Sequence, residues 1–200
     1  MLFRSTTLML IALDPGHGGP TDRGARYAGV DESDANLRQA YDIRAILAAL
    51  GHEVVMHRMS NIRMSHRSRA ARSRDVSADA TVIIHHNAGP QQLRGLMTFS
   101  WRECHTSRAL AVVTARCAPE PLYRSARRML TVCDEPSHTL LLRPAAVLRE
   151  YSRLGLCAIL LEVGYLSNDV DRAAIERTDV RAGVGMAVAC GVQSLNGLHI

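Results

Sequence analysis

The chain has 200 residues, of which 47% are hydrophobic and only 4% aromatic, and its formal net charge is +5. A chain of this length buries enough apolar surface for one ordinary domain, which excludes a disordered or fibrous protein. No apolar run approaches the roughly 18 residues that a membrane-spanning helix needs.

The five cysteines are widely spaced and include no C-x-x-C pair. We therefore expect neither a disulfide framework nor a structural zinc cluster, and the pattern suits a reducing compartment. Cys157 and Cys190 lie in apolar segments and are predicted to be small core residues. The amino terminus has a short apolar stretch without a small-residue cleavage signature, so synthesis in the cytoplasm without a signal peptide is expected.

An apolar run over residues 8–13 leads into the turn DPGHGG, which carries His17. A run of this kind, ended by proline and glycine, predicts a buried strand. Ligands of open α/β sheets bind at the carboxyl edge of the strands, so His17 is expected to face a cleft.

A helix is predicted over residues 33–51 because its apolar side chains recur at helical spacing. Ser33 or Asp34 can cap its start, and Gly51 lies where a C-terminal cap belongs. Glu32 is then placed at the mouth of the helix, on the side of the loop.

Strands and helices continue to alternate along the chain. The further predicted elements are strands over 52–58, 80–86, 95–100 and 157–162, and helices over 62–75, 107–118, 167–177 and 180–195. This alternation predicts α/β layering with a largely parallel sheet. Residues 119–155 contain several prolines and stay unassigned.

Two later apolar strands also end in side chains that can bind a metal or transfer a proton. The segment ATVIIHHN reaches His85 and His86, and CAILLEVGY reaches Glu162. A buried carboxylate or imidazole without a partner is costly. Three strands that each deliver such a group to their ends indicate one shared site, which a metal ion would satisfy.

The groups available to a metal are His17, Glu32, Glu162 and one of the two adjacent histidines, His85 and His86. Adjacent strand residues point to opposite faces, so both histidines are not expected to bind one ion, and His85 shares its face with Asn87. Two imidazoles and a carboxylate with an open fourth position form a catalytic zinc site, and a further carboxylate can serve as general base. Such a site attacks carbonyls, which predicts amide hydrolysis.

These motifs resemble those of the zinc-dependent N-acetylmuramoyl-L-alanine amidases, a family that includes bacterial cell-separation amidases and phage endolysins. The segments that carry the resemblance, in the family's order, are LDPGHGGPTDRGA, Glu32 at a helix start, IIHHNA and LLEVGYLSN. The resemblance runs from about residue 8 to about residue 195. The chain departs from the family where Ile83 replaces a serine, Ser73-Arg74 an Ala-Asn pair and Tyr165 a phenylalanine, and none of these changes removes a ligand.

The resemblance implies that His17, Glu32 and His85 bind one Zn²⁺ per chain and that Glu162 is the catalytic acid/base. It implies cleavage of the amide between N-acetylmuramic acid and L-alanine in peptidoglycan. It also implies a three-layer α/β fold, with a twisted, mostly parallel sheet flanked by helices on both faces. Residues 1–200 are then expected to be a single catalytic amidase domain with no separate cell-wall-binding domain. Beside the site, His86 is expected to be buried, and Asp14 either orients His17 or caps the turn.

The small size, the basic charge and the absent signal peptide favour a phage endolysin that lyses its host. Such an enzyme is made in the cytoplasm, is released by a partner holin and acts at the periplasm or cell wall. The stretch 58–74 holds six arginines and no acid. It is expected either to adsorb to an anionic bacterial envelope or to form a solvated helix face.

Two alternatives stay open. The arginine stretch could bind nucleic acid, but aromatic stacking residues and a known reader motif are absent from it, and the histidines and glutamates stay unexplained. The other alternative is that the chain binds the cell wall as a relative of the amidases that has lost catalysis. The intact Glu162 argues against this alternative.

Overall fold

The computed structural model describes residues 7–122 and 145–196. In these ranges the strands are β1 (Leu10–Pro15), β2 (Arg26–Tyr27), β3 (Val30–Asp31), β4 (Glu53–Met56), β5 (Ala80–Asn87), β6 (Met97–Ser100) and β7 (Ala158–Tyr165). The helices are α1 (Glu32–Ala49), α2 (His66–Asp75), α3 (His105–Arg116), α4 (Ala145–Arg153), α5 (Asp169–Glu176) and α6 (Thr178–Gln193).

Five strands form one sheet in the order β4-β1-β5-β7-β6, while β2 and β3 pair separately as an antiparallel ribbon. All neighbours in the large sheet are parallel except β6, which runs antiparallel to β7 along one edge. Every residue of β7 is buried. A strand covered on both faces needs apolar side chains throughout, which explains the uninterrupted apolar runs of the sequence. The predicted three-layer α/β fold is confirmed.

Alternate residues of the strands feed two different cores, because successive side chains point to opposite faces. Val82 and Ile84 pack in a core with side chains of α1, α3 and α6. Ile83 and Leu160 pack in the other core, with side chains of α2 and α4 such as Leu148. Helices α1, α3, α5 and α6 therefore cover one face of the sheet, and α2 and α4 cover the other.

Helix α1 starts one residue earlier than predicted, with Glu32 as its first residue. Asp31 holds the N-cap position without a capping side-chain bond, and Ser33 and Asp34 lie inside the first turn. Loop carbonyls accept the amide hydrogens of Glu32 and Ser33, so no capping side chain is needed there. Gly51 follows the helix at a φ of 92° and donates its N–H to a carbonyl of the last turn, as predicted.

The arginine stretch lies only partly on the surface. Helix α2 covers residues 66–75, shorter than predicted, and Arg58 and Arg69 are each only 2% exposed. The other four members, Arg63, Arg67, Arg72 and Arg74, are exposed. The interpretation of the stretch as one solvated face is therefore wrong for two of its six arginines.

Four cysteines lie in the described ranges, all as free thiols. Cys157 is buried as predicted, whereas Cys190 is only partly buried. Ser107 lies between Cys157 and Cys104: its hydroxyl donates to Sγ of Cys104 at 2.9 Å, and its Oγ lies 3.7 Å from Sγ of Cys157.

Residues 123–144 of the unassigned region 119–155 lie outside the described residues, and α4 forms much of the remainder. Within the described ranges, no helix combines the length and apolar character needed to cross a bilayer.

Candidate functional site

The turn after β1 brings His17 against β5 and the start of α1. Two glycines in it have no room for a side chain. A Cβ on Gly16 would lie 2.0 Å from Nε2 of His85, and a Cβ on Gly24 would lie 2.4 Å from Oε2 of Glu32. His17 itself has a φ of 59°, in the left-handed region. The turn can therefore close around the histidine and carboxylate groups only with glycine at both positions.

Three of the predicted residues meet in one cluster. Nε2 of His17 lies 3.3 Å from Oε2 of Glu32, and Nδ1 of His85 lies 2.9 Å from Oε1 of the same carboxylate. One ligand atom from each residue falls within 4.8 Å of the others. The two imidazole rings stand edge to face with centroids 4.9 Å apart. We refer to these three residues as the His-Glu-His cluster.

The two histidines stabilise the ionised carboxylate of Glu32. Burial alone raises the pKa of Glu32, yet hydrogen bonds from His17 and His85 outweigh it and hold that pKa well below the usual value. Burial lowers the pKa of His17, but Glu32 and Asp22 together raise it to about 9. Glu32 also lies in the first turn of α1, where the helix dipole favours an anion. A buried anionic oxygen pair between two imidazole nitrogens is a donor set suited to a divalent cation such as Zn²⁺.

Glu162 lies beside the His-Glu-His cluster on the neighbouring strand. It pairs in register with His85, and paired residues of adjacent strands project from the same face. Its side chain is buried, and its Oε2 has no hydrogen-bond partner among the described residues. Burial raises the pKa of Glu162 to about 7, and the charge of Glu32 adds to this while the histidines oppose it. A carboxyl with such a pKa can both accept and donate a proton near neutral pH.

Asp22 holds the other nitrogen of His17. Its Oδ1 lies 2.6 Å from Nδ1 of His17, which leaves Nε2 directed at Glu32. Asp22 lies in the motif LDPGHGGPTDRGA, but no role was predicted for it. A carboxylate on the far nitrogen of a histidine fixes its tautomer and ring orientation. The short spacing between His17 and Asp22 is the sequence feature from which this role could have been predicted.

Asp14 has neither of the roles that we expected. It is completely buried and accepts hydrogen bonds from Nη1 of Arg69 and, at 2.8 Å, from the hydroxyl of Tyr151. Nδ1 of His57 lies 3.4 Å away. Asp14 points into the α2–α4 side of the sheet from β1, so it anchors a buried ion pair instead of orienting His17.

Two buried arginines hold the turn by its main chain. Arg58 donates from Nε to the carbonyl of Pro15 at 2.8 Å and from Nη2 to that of Gly16 at 2.9 Å. Arg69 donates from Nη2 to the carbonyl of His17 at 2.7 Å. Pro15 is the last residue of β1, and Gly16 and His17 follow it in the turn. We call Arg58 and Arg69 the arginine clamp, and these contacts explain why two cations of the arginine stretch are buried. The sequence pattern did not reveal this role.

His86 projects to the opposite face of the sheet from His85, as predicted. Its Nδ1 lies 2.7 Å from Oδ1 of Asn36 on α1, and burial lowers its pKa to about 3. It is therefore neutral and buried beside the site. Its backbone N–H also donates to Oε1 of Glu32 at 3.3 Å, which helps to hold that carboxylate.

The fold and the site together define an α/β domain with a metal-capable histidine–carboxylate cluster at the carboxyl edge of its sheet. The profile of the family described as N-acetylmuramoyl-L-alanine amidase matches residues 11–194. The chain belongs to this family, and the resemblance predicted from its ordered motifs is confirmed.

Individual relatives agree with the family. The chain is 29% identical over 187 residues to a probable cell wall amidase, LytH, of Staphylococcus aureus; the match covers 92% of this chain and 57% of the relative. The chain thus spans little more than half the length of that relative.

Solved structures agree as well. The catalytic domain of CwlV, an N-acetylmuramoyl-L-alanine amidase of Bacillus (Paenibacillus) polymyxa, superposes with a TM-score of 0.73 at 26% identity, covering 96% of this chain and 98% of that one. An N-acetylmuramoyl-L-alanine amidase of Clostridium difficile 630 has a TM-score of 0.77 at 24% identity, covering 96% and 99%. The latter likeness concerns the fold alone.

Proposed function

We propose that this chain is a zinc-dependent amidase that cleaves the bond between N-acetylmuramic acid and L-alanine in peptidoglycan. Membership of the amidase family supports the substrate class. The observation that carries the proposal is the convergence of His17, Glu32 and His85, with the unpartnered carboxyl of Glu162 in register beside them.

His17, Glu32 and His85 would hold one Zn²⁺ per chain, with Nε2 of His17 and Nδ1 of His85 as the nitrogen ligands. Bound zinc supplies a Lewis acid for the scissile carbonyl and lowers the pKa of water to roughly 7. Asp22 keeps the proton of His17 on Nδ1, so that Nε2 is free to bind.

Glu162 acts as the catalytic acid/base in this proposal. It accepts a proton from the attacking water, whose oxygen forms the new bond to the carbonyl carbon. The bond between that carbon and the nitrogen of L-alanine breaks, and Glu162 returns the proton to the departing amine. Its pKa of about 7 suits both transfers at neutral pH.

The narrower role of a phage endolysin released by a holin stays a prediction, as do adsorption to an anionic envelope and cytoplasmic synthesis without a signal peptide. A nucleic-acid-binding role has less support than before, because Arg58 and Arg69 are buried against main-chain carbonyls and are not available to phosphates.

The proposal is tested with purified cell walls and protein of known metal content. We expect about one zinc per chain, release of new L-alanine amino termini, and loss of that release with a chelator or with Glu162→Gln. Asp179→Gln is the control and should retain activity, because Asp179 is an exposed acid on α6 that pairs with Arg177. New reducing sugar ends without new amino termini would contradict the proposal, because they mark cleavage of the glycan. DNA binding that persists without zinc, in the absence of hydrolysis, would favour the nucleic-acid alternative.

A further inference from the structure

A groove runs between helices α2 and α4, on the face of the sheet that carries His85 and Glu162. It encloses about 830 Å³, whereas the pocket over the His-Glu-His cluster encloses about 100 Å³. His66 lines both, so the groove continues from the small pocket along α2. We call it the α2–α4 groove.

The lining of the α2–α4 groove is strongly basic. It holds four arginines, two from each helix: Arg67, Arg74, Arg149 and Arg153. Spacings of seven residues on α2 and of four on α4 place each pair on one side of its helix. Among the described residues the lining contains one acid, Glu150, which pairs with Arg153 at 2.7 Å.

Two of these arginines have no charge partner in the part of the chain that the structure describes. Arg74 pairs with its neighbour Asp75 at 2.7 Å. Arg67 and Arg149 are exposed, one on each wall, and no described acid lies within ion-pair distance of either. Their guanidinium groups are free to bind an anion, and their planar geometry suits a carboxylate.

We propose that the α2–α4 groove binds the peptide half of the substrate through its carboxylates, with Arg67 and Arg149 as the specificity-determining residues. This rests on the proposed function, which fixes the scissile amide in the small pocket. That pocket has room only for the amide and its nearest atoms, so the rest of a polymeric substrate must lie outside it.

Charge decides which half of the substrate enters the groove. On one side of the scissile amide lies a glycan whose sugars carry hydroxyl and acetamido groups and no charge. On the other side lies a peptide with free carboxylates. A basic groove continuous with the pocket is complementary to the peptide and gains nothing from a neutral glycan.

The test compares two soluble muramoyl peptides that differ only in charge, one with free carboxylates and one with carboxamides, on the zinc-loaded enzyme. We expect a lower KM for the free acid. The double variant Arg67→Gln/Arg149→Gln should raise that KM by about tenfold or more, the loss expected for charge-assisted hydrogen bonds. Its kcat and its KM for the carboxamide should be unchanged.

Arg44→Gln is the matched control, since Arg44 is an exposed arginine on α1 and that helix covers the opposite face of the sheet. Equal KM values for the two substrates, or equal effects of the Arg44 and groove variants, would overturn the proposal while leaving the amidase assignment intact.

Binding provides a second readout that does not depend on turnover. The free peptide, titrated calorimetrically into the zinc-loaded protein, should bind the parent chain more tightly than the double variant. If neither muramoyl peptide is cleaved, the proposed function fails, and this titration still decides whether the groove binds carboxylates. Tight binding of inorganic polyphosphate with no binding of the peptide would overturn the proposal.

Discussion

The carboxylate of Asp22 lies 2.6 Å from Nδ1 of His17, on the side of the ring away from Glu32. This contact fixes which nitrogen of His17 faces the His-Glu-His cluster. Both residues come from the turn that follows β1, so His17, a proposed zinc ligand, and the residue that positions it are held by the same short segment.

Asp22→Asn should lower the affinity for zinc by about 10- to 100-fold, the range seen when such a partner of a histidine ligand is lost. Competition with a chromogenic chelator measures the change. Asp179→Asn removes an exposed carboxylate on α6 and should leave zinc affinity unaltered. An Asp22 variant with the parent affinity would show that the tautomer of His17 needs no help from this carboxylate.

Glu162→Gln should stabilise the metal-free protein at alkaline pH. Burial raises the pKa of Glu162 from 4.5 to about 7. Between these values the folded chain keeps a proton that the unfolded chain releases, so the free energy of unfolding falls as pH rises through this window and is level above it. Removing the titrating group should gain up to about 3 kcal/mol at pH 8 and little at pH 4. Urea unfolding at the two pH values measures it, and a variant that is less stable at pH 8 would refute the expectation.

Asp14→Asn should destabilise the protein by about 3 to 5 kcal/mol at pH 7, because it leaves the buried guanidinium of Arg69 without its counter-charge. Burial raises the pKa of Asp14, but hydrogen bonding to His57 and the charge of Arg69 lower it far below 3.8. This stabilisation is complete above the unfolded-state pKa and is lost as pH falls below it.

The difference in unfolding free energy between the parent chain and Asp14→Asn should therefore narrow from pH 7 to pH 3. Urea titrations of metal-free protein at both values check this. Tyr151→Phe removes only one hydrogen bond to the same carboxylate and should cost less, about 1 to 3 kcal/mol. A gap that widens in acid would contradict the assignment of Asp14 as an ionised buried partner.

Cys104 should be the most reactive thiol of the described chain at mildly acidic pH. A hydrogen bond with Cys157 and another from Ser107 lower its pKa to about 4, against the opposing effect of burial. It also holds the N-cap position of α3, where the helix dipole favours a thiolate. Alkylation with iodoacetamide at pH 6, followed by peptide mapping, should modify Cys104 before the more exposed Cys117, whose pKa is raised by burial and by Cys190.

Cys157→Ala supplies the matched comparison for this prediction. It removes the principal hydrogen bond that stabilises the Cys104 thiolate, so alkylation of Cys104 at pH 6 should become slower. The same rate in both proteins, or a reaction of Cys104 that begins only above pH 8, would contradict a stabilised thiolate.

The parallel sheet and the approach of His17 to His85 and Glu162 could be predicted from local patterns, whereas the choice of Glu32 as the third member of the cluster came from the family resemblance. Apolar runs mark the strands, and polar residues after parallel strands gather at one edge. The phase of His85 and His86 follows from the alternation of a strand.

The roles of Asp14, Arg58 and Arg69 could not be predicted in the same way. Asp14 follows an apolar run just as the site residues do, and only the placement of α2 and α4 shows that it points to Arg69 and Tyr151. The two arginines look in sequence like their four exposed neighbours. What separates them is long-range packing against carbonyls more than 40 positions away.

Arg58 and Arg69 hold residues 15–17 by their backbone carbonyls, and Arg69 also binds the side chain of the preceding Asp14. These hydrogen bonds consequently do not depend on the side chains further along the same loop, such as those of Pro20 and Thr21. Those exposed positions can therefore vary without loosening the turn that carries His17.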